Sequence, residues 1–208
     1  MAAAVAAPGF QGWASRLLGR RAARWEAMSD GALLGQAKRG DERACRELLA
    51  RHGPRLWAAV EATHRDPGLA EDVVQETLLR AIDRADQLMD EHRAFPWLVR
   101  IALRVAIDHK RKVRREALLE EGWDAAGPPE DAPDQHLASA EDARRVSAAV
   151  AQLDDYPREL VSLRYFAHLS AAELGEVFGK TDVAIRKDLQ RARAQLRVAL
   201  APWMEDAP

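Results

Sequence analysis

The stretch from residue 116 to 142 constrains the fold more than any other part of this 208-residue chain. It carries nine Asp and Glu residues and no Lys or Arg, together with Pro128, Pro129 and Pro133. A segment of this composition buries too little apolar surface to join a core. It therefore predicts an acidic linker at about 116–140 that divides the chain into two folded parts.

On both sides of this linker, apolar residues recur at intervals of three and four, which is the spacing of one helix face. No alternating strand pattern is present in either part. The sequence therefore predicts an all-α fold with two helical domains, at 30–115 and 141–200, and a tail at 201–208. Within the first domain, Gly53 and Pro54 are expected to end a helix.

Residues 1–29 precede the first helical domain and are rich in Ala. We expect a floppy extension here, or a start codon assigned too early with Met28 as the real beginning. Phe10, Trp13 and Leu17 follow helical spacing, so a short amphipathic helix is the alternative.

The sequence contains no constellation typical of an enzyme. The single cysteine, Cys45, excludes an internal disulfide framework and a multi-cysteine zinc site, and it is expected to be packed. His64 and His109 are expected to be solvated on the surface. A Gly-rich phosphate loop, a histidine pair at metal spacing and a nucleophile motif are all missing. We therefore expect no catalytic residue, metal, cofactor or small-molecule substrate.

The net charge of −2 conceals a strong segregation of charge along the chain. Residues 100–115 hold seven Lys and Arg against one Asp, and residues 180–197 hold six basic residues against two acidic ones. Two basic segments separated by an acidic linker predict two surfaces for a polyanion, held apart by a stretch that the polyanion repels.

The C-terminal part predicts a helix, a tight turn and a second helix. Ser170 and Glu173 have the spacing of a capping box, Gly179 fits the turn, and Thr181 fits the cap of the next helix. One side of that helix is apolar, formed by Ile185, Leu189, Ala192 and Leu196. The opposite side carries Arg186, Lys187, Gln190, Arg191, Arg193 and Arg197. A helix of this kind fits the major groove of DNA, whereas an ordinary surface helix with solvated arginines is the alternative.

A second basic helix is predicted over residues 97–115. Leu98, Ile101, Ala102 and Val105 form its core stripe. Arg100, Arg104, Arg111 and Arg115 cluster on another face. Phe95 and Trp97 stand just before this helix, where exposed rings can stack on the bases of an opened strand. The alternative is that both rings lie in the core.

Asp72, Gln75, Glu76 and Leu79 share one face of a helix upstream. An acidic face with an amide and one apolar residue fits docking against a basic helix of another protein. A merely solvated face is the alternative.

Taken together, these segments resemble the extracytoplasmic-function (ECF) group of bacterial RNA polymerase sigma factors over about residues 30–200. The resemblance rests on AEDVVQETLLRA at 70–81, on FPWLVRIA at 95–102 followed by VAID and a basic run, and on SLRYF at 162–166 with the helix-turn-helix and QRARAQLR at 190–197. Three motifs in the right order are more specific than any one of them.

The resemblance implies a mechanism for the first domain. Asp72, Gln75, Glu76 and Leu79 would dock on the coiled coil of the polymerase beta-prime subunit. The loop from about Ala85 to Phe95 would open the minus-10 DNA and capture a flipped base. The residues implied at the minus-10 element are Phe95, Trp97, Arg100, Arg104, Asp108, Arg111 and Arg115.

The second domain would bind the minus-35 element and the beta flap of the polymerase. The residues implied at the minus-35 element are Lys180, Thr181, Arg186, Lys187, Gln190 and Arg191. The family commonly uses an anti-sigma factor, which implies a cytoplasmic protein that such a factor can hold at the membrane. A stand-alone helix-turn-helix regulator that binds operators without polymerase is the competing interpretation.

Two positions depart from the family pattern. Arg104 stands where many members carry Asn, and Asp188 stands where Arg or Ser is common on the recognition helix. Asp188 fits two roles at this point, because it can accept a hydrogen bond from cytosine N4 or orient Arg191 or Lys187.

Overall fold

The computed structural model of the chain describes residues 23–64, 66–90, 93–119 and 145–204. All regular secondary structure in these ranges is helical, as predicted. The linker prediction at 116–140 lies outside the described residues, except that a helix continues to Leu119. None of the described helices is long and apolar enough to cross a membrane.

The described residues of the N-terminal domain, which lie between 23 and 119, include five α-helices and a 3-10 turn. They are α1 (Ala23–Glu26), α2 (Asp30–Lys38), α3 (Glu42–His64), α4 (Pro67–Asp83), the 3-10 turn Ala85–Gln87 and α5 (Ala94–Leu119). Side-chain caps fix two of the starts. Ser29 Oγ accepts from the Ala32 amide at 3.3 Å, and Asp66 Oδ1 accepts from the Leu69 amide at 3.0 Å.

The C-terminal domain, residues 145–204, begins with helical residues 145–151. They are followed by α6 (Asp155–Tyr165), α7 (Ala171–Phe178) and α8 (Asp182–Met204). The second domain packs directly on the first, because α6 contacts α3 and α7 contacts α5. The two basic segments therefore belong to domains that touch in this structure.

A continuous hydrophobic core runs through both domains. Leu48, Val73 and Leu98 from the first domain belong to the same buried cluster as Leu163 and Leu174 from the second. The C-terminal domain also has a small cluster of its own, formed by Val150, Leu153, Val161 and Ala192, with Leu196 against it. The second domain therefore relies on the first for much of its apolar burial.

Two expectations about the N-terminal domain are wrong. The domain begins before residue 30, because Trp25 is buried in the core and Arg51 donates to the carbonyls of Glu26 and Met28. A start at Met28 would remove that indole from the core. The helix end expected at Gly53 and Pro54 is also absent, since α3 continues through both residues. Buried Leu49 and Leu56 hold the helix on either side, which offsets the hydrogen bond that proline lacks.

Candidate nucleic-acid interface

The helix-turn-helix is built as the sequence predicts. Ser170 Oγ accepts from the Glu173 amide at 3.1 Å, and the Ser170 amide donates to Glu173 Oε2 at 2.7 Å, which completes the capping box. Gly179 ends α7 with a φ of 66°, a left-handed conformation that favours glycine. Thr181 Oγ1 caps α8 by accepting from the Ala184 amide at 3.2 Å.

The apolar stripe of α8 faces the core, as predicted. Ile185, Leu189 and Ala192 are buried, and Leu196 is half-buried. The opposite side is open. The side chains of Arg186 and Arg191 are 70% and 79% exposed. This orientation turns their guanidinium groups toward solvent, where a polyanion can approach, while the back of the helix stays packed.

The predicted minus-35 residues lie along one surface, but not all of their polar groups are available. Lys187 and Gln190 are exposed beside Arg191. Lys180 Nζ, in contrast, is held by Tyr156 and Asp188, and the Thr181 hydroxyl is used as a cap. Arg186 forms a two-pronged contact with Asp182 at 3.0 and 2.6 Å, one turn earlier on the same helix.

The basic face of α5 is also exposed. Its members are Arg100, Arg104, Arg111 and Arg115. Asp108 lies on the same helix, and it accepts from Arg80 Nη1 at 3.1 Å rather than pointing freely outward. The buried residues Leu98, Ile101 and Val105 anchor the opposite side of the helix. The segment therefore presents arginines along one side of a fixed rod.

Of the two alternatives for the ring of Phe95, exposure beside the basic helix or burial in the core, the structure has the second. Phe95 is only 5% exposed, stacks with His52 at a ring distance of 6.0 Å, and is covered by the Arg55 guanidinium 3.7 Å from its centre. Trp97 is half-buried and packs against the core. Both rings lie on the apolar side of α5. Burial is favoured over exposure there because burying an aromatic ring is strongly favourable. The exposed apolar side chain of this loop is instead Met89, at 92%.

The predicted docking face on α4 is open to solvent. Asp72, Gln75 and Leu79 are exposed, and Glu76 is half-buried. Sequence reasoning missed Arg80, which donates to Glu76 Oε1 at 2.8 Å and to Asp108 on α5. These hydrogen bonds raise the pKa of Arg80 above its ordinary value. The docking face and the basic helix are thus joined by one guanidinium.

Sequence reasoning also missed the seam between the domains. Arg55 Nε donates to the Ala167 carbonyl at 3.4 Å, and its Nη2 lies 3.8 Å from Glu173. Ser162 Oγ donates to the Ala62 carbonyl at 3.1 Å. No local motif announces these contacts, because each joins residues about a hundred positions apart in the chain.

Arg93 adds an ion pair to this seam. It lies at the end of the loop expected to open DNA, and its Nε is 3.2 Å from Glu176 of α7. The contact places the C-terminal domain beside that loop. The domain arrangement therefore restricts one of the predicted DNA-contacting segments.

His64 lies near the same seam and is not solvated as expected. Its Nε2 is buried without a hydrogen-bond partner among the described residues. Burial, with the positive charges of Lys110 and Arg158, lowers the pKa of His64 to about 4. His64 is therefore neutral at physiological pH and does not offer a positive charge to phosphate.

Cys45 is half-buried against the core, and burial raises the pKa of its thiol. A raised pKa disfavours the thiolate, the form that reacts with oxidants and electrophiles. Within the described ranges, no three His, Cys, Asp or Glu side chains gather as a metal site would require.

The fold and these surfaces define a two-part helical protein with an exposed basic face in each part and a separate acidic face on α4. Comparison with known proteins identifies the family. Residues 48–116 match Sigma-70 region 2, and residues 143–196 match Sigma-70, region 4.

Individual relatives agree with this match. The ECF RNA polymerase sigma factor SigL of Mycobacterium tuberculosis is 31% identical over 156 residues, which cover 74% of this chain and 88% of SigL. The probable RNA polymerase sigma factor RfaY of Xanthomonas campestris pv. campestris is 30% identical over 168 residues, covering 79% of this chain but only 42% of RfaY. A solved structure of CnrH in complex with the cytosolic domain of CnrY has a TM-score of 0.58 at 28% identity, and covers 86% of this chain and 99% of that one.

The chain belongs to the sigma-70 family, in its ECF group, and is a sigma factor that directs promoter-specific transcription. The resemblance predicted from the sequence is confirmed, and the stand-alone operator-binding interpretation is not favoured. Sigma factors are DNA-binding initiation factors rather than enzymes.

Proposed function

We propose that the N-terminal domain binds core RNA polymerase and the minus-10 DNA, and that the C-terminal domain binds the minus-35 DNA. The observation that carries this proposal is the geometry of α8. Its apolar side is buried and its arginines are exposed, at the end of a fully capped helix-turn-helix. The chain contributes binding surfaces, and the chemistry of RNA synthesis belongs to the polymerase.

At the minus-35 element, Arg186, Lys187, Gln190 and Arg191 would contact base edges and phosphates. Arginine pairs with guanine through two hydrogen bonds, and glutamine does so with adenine. Lys180 and Thr181 were predicted to contact phosphate. The Lys180 ammonium is held within the domain, whereas the Thr181 hydroxyl only accepts a hydrogen bond as the cap of α8, so its own O–H can still donate to a phosphate.

At the minus-10 element, the exposed arginines of α5 would follow the DNA backbone, and the loop ending at Arg93 would hold the opened strand. The buried ring of Phe95 supports that loop from below instead of stacking on a base. Met89 takes over as the apolar side chain of the loop that can wedge between bases.

Core polymerase would dock on the exposed α4 face, with Leu79 as its apolar centre. The Leu79 side chain is 60% exposed, with Asp72 and Gln75 beside it. Charged neighbours around one apolar residue suit a partner helix that is basic and amphipathic. Because Arg80 bridges Glu76 to Asp108, docking at α4 acts directly on the helix proposed to hold the minus-10 strand.

We infer that the two domains separate when the protein works. The two promoter elements lie about 25 base pairs apart, which is roughly 85 Å along a duplex at about 3.4 Å per pair. In the structure α7 contacts α5, and α8 follows α7 after a three-residue turn. The recognition helix therefore begins close to the N-terminal domain, and it cannot reach the distant element until the seam opens.

A protein partner that controls the separation of the two domains is consistent with a solved structure of a relative. CnrH is bound to the cytosolic domain of CnrY in its solved structure. We propose that this chain likewise acts in the cytoplasm and is held by an anti-sigma factor. A membrane-bound anti-sigma factor would keep it at the membrane surface.

The test is run-off transcription with purified core polymerase on fragments of the source genome, with and without this protein. New start sites that depend on the protein are expected, and their alignment will show both promoter elements. The double variant Arg186→Ala, Arg191→Ala should reduce these transcripts by about tenfold or more, since each lost base contact costs about 1–3 kcal/mol. Core binding should be unchanged.

Arg46→Ala is the matched control for loss of charge. Arg46 is exposed on α3 and pairs with Glu42, far from α8 in the sequence and outside the proposed surfaces. It should leave transcription at the wild-type level. If the protein shifts DNA but neither binds nor redirects core polymerase, the operator-binding interpretation replaces this one.

A further inference from the structure

Three side chains from three separate elements meet at the base of the recognition helix. Asp188 Oδ2 accepts from the Tyr156 hydroxyl at 2.8 Å and from Lys180 Nζ at 2.8 Å. Lys180 Nζ also lies 2.9 Å from the Tyr156 hydroxyl and 4.1 Å from the centre of its ring. We call Tyr156, Lys180 and Asp188 the anchor cluster. It ties α8 to the first turn of α6.

The backbone around Lys180 is fixed as firmly as its side chain. The Lys180 amide donates to the Gly175 carbonyl at 2.9 Å. A Cβ on Gly175 would lie 2.6 Å from the Lys180 carbonyl oxygen, so the turn packs directly on a residue that has no side chain. Tyr156 is held as well, because its ring meets Phe178 edge-on at 5.2 Å. The anchor cluster is therefore built from immobilised parts.

The geometry decides between the two roles that the sequence allows for Asp188. Its side chain is only 16% exposed, and Oδ2 is already occupied by two donors. Oδ1 faces Arg191 Nη1 at 3.4 Å, whereas the Arg191 side chain is 79% exposed. A carboxylate that reads cytosine must present a free oxygen to the groove. Asp188 presents its oxygens to Tyr156, Lys180 and Arg191 instead.

We infer that Asp188 is a positioning residue, which reads no base itself and orients Arg191 toward the DNA through the anchor cluster. This inference rests on the proposed binding of minus-35 DNA by α8. Lys187, Gln190 and Arg191 line one shallow concavity with Ala194 on the exposed side of the helix. An arginine oriented there before binding loses less conformational freedom on contact with DNA.

The role of Lys180 changes with this assignment. Its ammonium group neutralises Asp188, which otherwise would place a negative charge beside DNA phosphates. The hydrogen bonds from Lys180 and Tyr156 hold the pKa of Asp188 below its ordinary value, so the carboxylate stays ionised and keeps both donors. Lys180 thus supports the recognition surface from within the domain.

The first measurement is a double-mutant cycle in the full-length protein bound to core polymerase, with minus-35-dependent transcription as the readout. Tyr156→Phe removes one hydroxyl and keeps the ring, and Asp188→Asn removes the charge. Each should reduce promoter use by about threefold to tenfold, as expected for the net contribution of one typical intramolecular hydrogen bond. The double variant should be little worse than Asp188→Asn, because both changes disable the same unit.

Asp182→Asn is the matched control. Asp182 also pairs with an arginine on α8, but through Arg186 and without Tyr156. Tyr156→Phe combined with Asp182→Asn should therefore give the product of the two separate effects.

The decisive readouts are ones that a loss of stability would not move. In the Tyr156→Phe background, Arg191→Ala should reduce promoter use by a smaller factor than in the wild type, since Arg191 is already misplaced. Across a library of minus-35 sequences, Asp188→Asn should lower transcription from every sequence while keeping the order of base preference.

A changed preference for C at one position would overturn the inference, and so would additive behaviour of Tyr156→Phe with Asp188→Asn. Both results require a wild-type protein that uses a minus-35 element. A wild type that directs no minus-35-dependent transcription overturns the proposed function as well, so the two failures are distinguishable.

Discussion

The two domains differ in how they are held together. The N-terminal domain surrounds a large core drawn from α1 to α5, with Leu33, Leu48 and Val73 nearly or fully buried. The C-terminal domain has a small private cluster, and Leu160, Leu163 and Leu174 belong to the core that it shares with its neighbour. The domain that is proposed to read the distant promoter element is thus the one that depends on its partner domain for burial.

The seam between the domains is suited to opening. Beside its apolar contacts it contains hydrogen bonds and ion pairs at Arg55, Arg93 and Ser162, groups that water can satisfy after separation. Interfaces between domains of one chain are commonly polar and permit movement, whereas the apolar core that these two domains share opposes opening. The stability of the C-terminal domain and its availability for DNA are therefore coupled through this one surface.

The largest difference in response between the two domains is expected when one glycine in each domain is changed to alanine. Gly175→Ala places a Cβ 2.6 Å from the backbone oxygen of Lys180, so the turn of the helix-turn-helix must move. Such overpacking costs about 1–3 kcal/mol and should abolish most promoter binding. Gly35→Ala in α2 meets only the end of the Arg39 side chain at 3.9 Å, and should raise stability by about 0.5–1 kcal/mol.

Thermal unfolding and promoter binding, measured on both glycine variants, check this contrast. Binding of core polymerase to the α4 face should stay at the wild-type level in each, because α4 is untouched. A Gly175→Ala protein that binds promoters normally would show that the turn is not fixed by this close approach.

Local signals in the sequence predicted the C-terminal helix-turn-helix well. Ser170, Glu173, Gly179 and Thr181 act within four residues of their partners, so spacing alone identifies them. The all-helical secondary structure and the buried side of α8 were predicted in the same way, from the spacing of apolar residues. The resemblance to the family came from motifs of this local kind, placed in the right order.

Contacts between distant parts of the chain were not predictable from spacing. Phe95 was expected beside the DNA, and it is buried because Arg55 and His52 cover it from another helix. Asp188 was open to two roles until Tyr156, 32 positions away, was seen to hold it. Burial and partner choice at these residues depend on tertiary packing, which periodicity does not encode.

Polymerase docking should be separable from promoter reading. Leu79→Glu replaces the exposed apolar residue of the α4 face, and should weaken core affinity by about tenfold, as for a central interface residue. Glu76 is a poorer probe, because its loss also frees Arg80 from one of its two carboxylate partners. Fluorescence titration with core polymerase is the measurement.

Met89→Glu is the control for Leu79→Glu, since Met89 is an apolar residue outside the docking face and is even more exposed than Leu79, at 92% against 60%. It should leave core affinity intact while reducing promoter opening. Loss of core affinity in both variants would mean that docking is not confined to α4.

Acid should loosen the seam between the domains through His64. The imidazole faces Lys110 of α5, Arg158 and Asp155 of α6, and Asp66 at the start of α4. Its pKa is about 4 here against an ordinary 6.5, so the packed form resists protonation and the separated form accepts it. The packing is therefore strongest above about pH 6.5, and its equilibrium constant falls as the pH drops toward 4.

Energy transfer between two dyes measures this opening. The dyes are attached to cysteines introduced at positions 46 and 197, one exposed site in each domain, after Cys45→Ser has removed the native thiol. His64→Gln should remove the pH dependence over this range. His168→Asn, a change on an exposed loop that keeps a residue tolerant of its φ of 55°, should retain it. Packing that tightens as the pH falls would contradict the assignment.

The smallest effect is expected at the exposed ion pair between the domains. Arg93 is 62% exposed and Glu176 31% exposed, so the pair contributes at most about 1 kcal/mol. Glu176→Arg sets two like charges together and should raise the separated fraction by about twofold to threefold in the same energy-transfer assay. Arg93→Glu should do the same, with an added contribution from its neighbour Asp90, 3.3 Å away.

The double swap, Arg93→Glu with Glu176→Arg, restores opposite charges across the seam and should return the separated fraction close to the wild-type value. Rescue of this kind isolates the pair from the effects of each single change. High salt should shrink all three differences, because both side chains are partly solvated. If the separated fraction of the double variant is as large as that of the single variants, the Arg93–Glu176 pair does not stabilise the seam. The apolar contacts and Arg55 then hold the two domains together.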